Sequence, residues 1–244
     1  MIKLGIIGAM EEELETLLSK LEGESCTRHS GSDFYQGTLE HLPVVIVQCG
    51  IGKVNAAICT QILIDLYGVT HILNTGIAGS LNPQLAIGDL VISRDVMYHD
   101  VDCAAFDYPL GKVPGMDTLA FPADETLIHD AWEAAEAENP GHTRIARVAS
   151  GDQFICEKEK KERIISITGG ACTEMEGAAI AHTAYRSGIP FVILRAISDK
   201  ADDSAEMDYP TFERIAAHRC ASVTSRIAKM LSGNEGAAES IVCG

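Results

Sequence analysis

The sequence predicts a single-domain α/β fold of three layers, a β-sheet sandwiched between helices. Three observations carry that reading. Apolar runs of strand length alternate with amphipathic stretches of helix length. Most of those runs are apolar throughout rather than at every second residue, the pattern of a sheet covered on both faces. No linker, internal repeat or change of composition divides the 244 residues, a length one large domain accommodates.

Residues 4–7 read as the first strand and 11–21 as a helix, with Leu14, Leu17, Leu18 and Leu21 on one face. Residues 34–39 and 44–48 read as strands around a turn at His41 to Pro43, and 54–67 as a helix ended by Gly68. Strands are predicted over 71–75 and 90–93, then a helix over 124–138 closed by Asn139-Pro140-Gly141. A strand over 144–149 is followed by a helix over 175–187, stopped by Gly188 and Pro190. Residues 191–197 form a strand that is apolar apart from Arg195, and the last helix is predicted over about 211–231. The domain is therefore expected to span 1–231, with 232–244 a flexible C-terminal tail of small and polar residues.

Lys and Arg number 19 against 35 Asp and Glu, a formal net charge of −16. Nucleic acid and anionic membranes both require clustered positive charge, so neither is expected as a partner. The first apolar stretch is broken by Gly5 and Gly8 and runs into Glu11-Glu12-Glu13, unlike a secretion signal. Nothing approaches the roughly 18 apolar residues of a spanning helix. A cytoplasmic protein is expected. The eight cysteines stand at least ten residues apart with no C-x-x-C pair, so they read as reduced thiols rather than a metal site.

Ligands of open α/β sheets bind beyond the carboxyl ends of the strands, so the residues just after each strand are informative. Those positions hold Gly8-Ala9-Met10-Glu11-Glu12-Glu13, Gly50-Ile51-Gly52-Lys53, Gly76-Ile77-Ala78-Gly79, Ser150-Gly151-Asp152-Gln153-Phe154-Ile155 and Ser198-Asp199. Glycine turns beside carboxylates and an aromatic suit a pocket assembled from several loops, although such turns also simply join strands to helices. Neither a dinucleotide fingerprint nor a P-loop is present, and Lys53 is expected to open the next helix at the surface. Glu11 to Glu13, and Glu174 with Glu176, fall at helix starts, where dipole stabilisation is the plain alternative. Asp199 ends an apolar strand, where a carboxylate is costly without partners; capping the next loop is its alternative. Together these acids suit glycosidic-bond cleavage, in which one carboxylic acid protonates the leaving group and one carboxylate activates water. For the first role Asp199 needs its pKa lifted above an ordinary value of about 3.9 by apolar surroundings or negative neighbours.

Seven segments extend the pattern in order: Gly5 to Glu13, Gly50-Ile51-Gly52-Lys53-Val54-Asn55-Ala56-Ala57, Asn74-Thr75-Gly76-Ile77-Ala78-Gly79, Tyr98-His99-Asp100, Ser150-Gly151-Asp152, Glu174-Met175-Glu176-Gly177-Ala178 and Arg195-Ala196-Ile197-Ser198-Asp199. In this order they resemble the bacterial 5′-methylthioadenosine/S-adenosylhomocysteine nucleosidases of the purine nucleoside phosphorylase superfamily, from residue 2 to about 231. The resemblance implies a nucleoside phosphorylase-like fold with a twisted mixed sheet, a homodimer, no metal or organic cofactor, and adenine nucleosides as small-molecule partners. It implies hydrolysis of the N-glycosidic bond of methylthioadenosine or S-adenosylhomocysteine, in methionine salvage. By position, Asp199 would protonate adenine N7 with help from Ser198, and Glu13 would activate water, with Arg195 near that water. Met175 and Glu176 would contact the ribose, Phe154 would stack on the purine, the Ile155 backbone would read its edge, and Gly79 would border the substrate. Met10, Ile51 and Tyr209 would line the alkylthio pocket, with Cys103, Phe106 and Pro114 of the partner subunit. Ile77 and Ser80 depart from the family's hydroxyl residue and second glycine, and Cys103 and Tyr209 depart from its usual alkylthio-pocket residues. The first pair is expected to affect rate, the second substrate preference.

Three rivals stand beside this reading. A phosphorolytic relative needs clustered arginines for phosphate, whereas the first strand leads into three glutamates. Another adenine nucleoside, such as 5′-deoxyadenosine or aminodeoxyfutalosine, is the second. A non-catalytic nucleoside-binding protein would be expected to lack Asp199, Glu13 or Glu176, and all three are present.

Overall fold

The computed structural model describes residues 2–202 and 204–242. β1 (Leu4–Gly8) is buried at every residue and lies between β4 (Leu42–Gln48) and β5 (His71–Ser80), parallel to both. β10 (Phe191–Asp199), also buried throughout, runs parallel to β5 on its other side. β10 then pairs antiparallel with β6 (Leu90–Tyr98), β6 pairs parallel with β8 (Thr143–Ser150), and β8 parallel with β9 (Cys172–Glu174). Because β9 pairs back onto β5, these five strands close a ring. β7 (Phe121–Pro122) pairs with β6, while β3 (Ser32–Leu39) and β2 (Glu22–His29) extend the other edge antiparallel. The sheet is mixed, and its helices form layers on both faces.

Alternation along each strand decides which layer a side chain fills. Ile7, Val45 and Val47 pack with Ala56, Cys59 and Leu63 of α2 (Lys53–Asp65) and with Ala178 and Ala184 of α5 (Gly177–Ser187). Leu4, Ile6, Val44 and Ile46 face the opposite layer. There they meet Leu14 and Leu17 of α1 (Glu11–Leu18), Leu127 of α3 (Glu125–Glu138), and Ala217 and Ile227 of α6 (Ala205–Val242). Burying each such Leu, Ile or Val stabilises the fold by roughly 1.5–3 kcal/mol. Among the described residues, no helix is long and apolar enough to cross a membrane.

The differences from the sequence pattern have physical reasons. β2 is exposed along nearly its whole length and carries no apolar signature. α4 (Lys158–Thr168) is Lys- and Glu-rich and buries only Ile164 and Thr168, so its periodicity is faint. β5, β6 and β10 run on through polar residues to Ser80, Tyr98 and Asp199, which lie buried among neighbouring elements. α5 begins at Gly177 rather than Met175, because Glu176 is the capping residue with non-helical backbone. α1 stops at Leu18, short of Leu21. α6 begins at Ala205 and runs to Val242, so the backbone of the stretch read as a tail is helical as far as Val242; residues 243–244 lie outside the described residues. Lys53 is not a plain surface lysine either. Its side chain is 24% exposed and paired with Asp100.

Candidate active site

A cavity of about 440 Å³ opens where β1, β5, β9 and β10 end and their following turns begin, in the size range of small-molecule sites. Met10, Glu13, Ile51, Gly79, Phe154, Met175, Glu176, Ser198, Asp199 and Tyr209 all line it. Ile155 lies beside it, in a small adjoining cavity shared with Gly79, Phe154 and Asp199. Arg195 does not line the main cavity but is buried behind its wall. Cys103, Phe106 and Pro114 do not reach this wall. Phe106 is 77% exposed on the surface turn Ala104–Phe106, and Pro114 borders a separate groove with His182 and Arg186.

Glu13 stands in the first turn of α1 and reaches back over the helix start. Its Oε2 accepts from the N–H groups of Ala9 at 2.6 Å and Met10 at 3.1 Å, and its Oε1 from Ile77 N–H at 3.1 Å. The helix-capping role and the cavity-facing role thus belong to one carboxylate. Burial pushes its pKa up, against the pull of Arg195 and of the three amides. Ile77 supplies the loop's hydrogen bond through its backbone. Ser80 points elsewhere, donating to the carbonyl of Asn82 at 2.8 Å.

Arg195 is the hub of the far wall. Its Nη2 lies 2.5 Å from Glu174 Oε2 and donates to Asn74 Oδ1 at 2.5 Å, with Glu176 Oε2 at 3.6 Å; Nη1 is 3.9 Å from Glu13 Oε1. Although burial works against its charge, Glu174, Glu176 and Glu13 hold the guanidinium firmly protonated. A Cβ on Gly76 would collide with both Arg195 and Glu13, so only glycine lets β5 pass this pair. Glu174, which the sequence pattern places only as a helix-start charge, is fixed most tightly. It accepts from Arg195, from Ser150 Oγ, and from the N–H groups of Glu176 at 3.0 Å and Gly177 at 2.7 Å. Its position two residues before Glu176 is the available signal, but nothing local tells a counter-ion from a cap.

Glu176 accepts from Gly52 N–H at 2.9 Å, and its pKa is pushed up to about 7, first by burial and then by the neighbouring charge of Glu174. Asp199 ends β10 where a register shift after Ile197 re-aims the chain. Burial raises its pKa, and Asp208 and Asp202 add to that, while hydrogen bonds from Ala201 N–H and Ser198 Oγ, both 2.8 Å, oppose it. Both causes the sequence argument allows, burial and negative neighbours, act on this carboxyl. At the outer end, Tyr209 meets the edge of Phe154 at 5.6 Å and its hydroxyl lies 3.2 Å from Met10 Sδ.

Residues 3–229 match the model of the Phosphorylase superfamily. A 5′-methylthioadenosine/S-adenosylhomocysteine nucleosidase of Exiguobacterium sp. is 39% identical over 231 residues, 94% of this chain and 99% of that protein. The crystal structure of such a nucleosidase from Neisseria meningitidis, in complex with methylthio-immucillin-A, superposes with a TM-score of 0.91 at 35% identity, covering 94% of this chain and all of that one. A futalosine hydrolase structure from Helicobacter pylori gives a TM-score of 0.89 at 33% identity, covering 94% and 98%. With near-complete coverage in both directions, the chain belongs to the Phosphorylase superfamily and, within it, to the 5′-methylthioadenosine/S-adenosylhomocysteine nucleosidases.

Proposed function

We propose that this protein is an N-glycosidase that hydrolyses methylthioadenosine and S-adenosylhomocysteine to adenine and the 5-thio-substituted ribose. The observation that carries the chemistry is the pair of buried carboxyls on one cavity, Glu13 and Asp199, each with a raised pKa. In this reading Asp199 gives its proton to adenine N7 as the C1′–N9 bond breaks, and the bonding electrons leave with the base. Water adds to C1′ and loses its proton to Glu13, so one water is consumed per bond cleaved. Glu176 holds the ribose hydroxyls, Met175 packs on the sugar, Phe154 stacks on adenine, and Gly79 and the Ile155 backbone border it. Ser198 orients the Asp199 carboxyl, and Arg195 polarises the water through Glu13. The surplus of carboxylates over the one buried arginine suits a sugar that gains positive charge in the transition state.

Water rather than phosphate is supported by the same wall. Among the described residues, no Lys, Arg or His lines the cavity, and Arg195 is committed to carboxylates. The decisive experiment is adenine release from methylthioadenosine with and without phosphate. Release that ignores phosphate supports the reading; release that requires it overturns it in favour of a phosphorylase. Likeness to the Helicobacter pylori hydrolase makes aminodeoxyfutalosine the second substrate to assay.

We further infer a cytoplasmic homodimer. Val54 and Ile58, one turn apart on α2, are 69% and 42% exposed, Ile51 just before that helix is also exposed, and Phe106 is bare. Cys103, Phe106 and Pro114, unused by their own cavity, would complete the alkylthio pocket of the partner. Sedimentation equilibrium at two loading concentrations tests this, and a monomer at both sinks it.

A further inference from the structure

Three of the sequence motifs supply no acid or base to the cavity, yet the fold brings their charged residues to one point. Lys53 Nζ lies 2.6 Å from Asp100 Oδ2 and 3.7 Å from Asp152 Oδ2, and 5.4 Å from the centre of the Tyr98 ring. Asp152 Oδ1 accepts from Lys53 N–H at 2.8 Å, and Asp152 N–H donates to Asp100 Oδ2 at 3.0 Å. α2 starts after Gly52, which has no side chain to cap it, so the capping carboxylate comes from Asp152 in a distant loop. Gly151 sits tightly against the same point, where a Cβ would lie 2.9 Å from the Asp100 carboxyl carbon.

Each end of this cluster adjoins a residue at the cavity mouth. On one side, Ile51 lines the cavity and Gly52 donates to Glu176; on the other, Phe154 lies two residues beyond Asp152. Ile51 and Phe154 are 54% and 47% exposed, so burial does not hold them. Gly50 and Gly52, with φ of 83° and 101°, leave their loop a wide choice of conformations. A site ordered before it binds avoids the cost of freezing such loops on the ligand.

We propose that Lys53, Asp100 and Asp152 form a strap that holds the two mouth loops in register, which makes them positioning residues for nucleoside binding. This rests on the nucleosidase reading above for its ligand, though not for the coupling of the loops. Lys53→Met keeps the aliphatic stem and removes the charge. It should speed amide hydrogen exchange at both Lys53 and Asp152, and raise KM for methylthioadenosine roughly fivefold, the scale of one partly buried ion pair. kcat should stay within about twofold, since the reacting groups are untouched, and Lys53→Arg should restore KM. Arg226→Met, which breaks the pair with Glu138 on the outer helices, is the stability control. Unchanged exchange at Asp152, an unchanged KM, or an equal KM rise in the control overturns the strap. If the wild type releases no adenine, the functional reading fails, and exchange at Asp152 in Lys53→Met still decides whether the loops are coupled.

Discussion

The inner wall and the mouth of the cavity are built on opposite principles. At the wall, Glu13, Glu174, Glu176 and Arg195 are buried to within a few per cent and tied to backbone amides or to one another. At the mouth, Ile51, Phe154 and Tyr209 are partly exposed and contribute mainly apolar surface. Desolvation sharpens electrostatics, so the wall can set proton affinities and stabilise a charged sugar. In the proposed function, Ile51 and Tyr209 at the mouth would bury a thioether substituent without demanding one shape. Under that function, reaction type would be set at the wall and substrate range at the rim.

The hardest test of this division is Asp199→Asn. Adenine release should fall at least about 100-fold, the lower range for loss of a general acid, while the protein stays folded by circular dichroism. A fall of less than tenfold would take Asp199 out of the acid role. Next comes Glu174→Gln, which leaves Arg195 with one carboxylate fewer. Breaking a buried pair should cost roughly 3–5 kcal/mol in urea unfolding, together with activity. Normal stability with lost activity would make Glu174 a group of the chemistry rather than of the wall.

The wall should also be visible as a pH dependence of stability. Glu176 has a folded pKa of about 7 against an ordinary 4.5, so the folded state holds its proton more tightly than the unfolded state. The proton-linked part of the stability is fully present below the unfolded pKa and is lost as pH rises from about 4.5 through about 7. Melting temperatures of the wild type and Glu176→Gln should accordingly diverge across that window, the variant losing less. Parallel curves would mean that Glu176 is not the group responsible. The smallest effect belongs to the rim. Tyr209→Phe removes a hydroxyl that pairs with the weak acceptor Met10 Sδ and with the Glu213 side chain rather than with a cavity-wall acid, so KM for methylthioadenosine should change by less than about threefold. A larger change would place a specific polar contact at an otherwise adaptable rim.

Much of the wall is legible in the sequence because its residues occupy strand ends. Glu13, Ser198 and Asp199 each come after or close an apolar strand, and Glu176 falls at a predicted helix start, so the turn chemistry around them is explicit in the sequence. Tyr209 and Met175 are reachable only through resemblance to a family, since a tyrosine or methionine near a helix start carries no signal of its own. Glu174 and Asn74 fall within motifs, yet their service to Arg195 depends on β5, β9 and β10 lying side by side. Lys53 looks like a surface lysine in the sequence because its partners stand 47 and 99 residues away along the chain.

By itself, the sequence determined the layered α/β architecture and the acid residues at several strand ends, because hydrophobic periodicity and local turn chemistry are written in neighbouring residues, while the hydrolytic reading came through resemblance to a family. Only the tertiary structure decided which carboxylate neutralises Arg195, which ones are left to hold protons, and how the mouth loops are tied. Those outcomes depend on burial and on distances across the ring of strands, and neither quantity exists until the sheet closes.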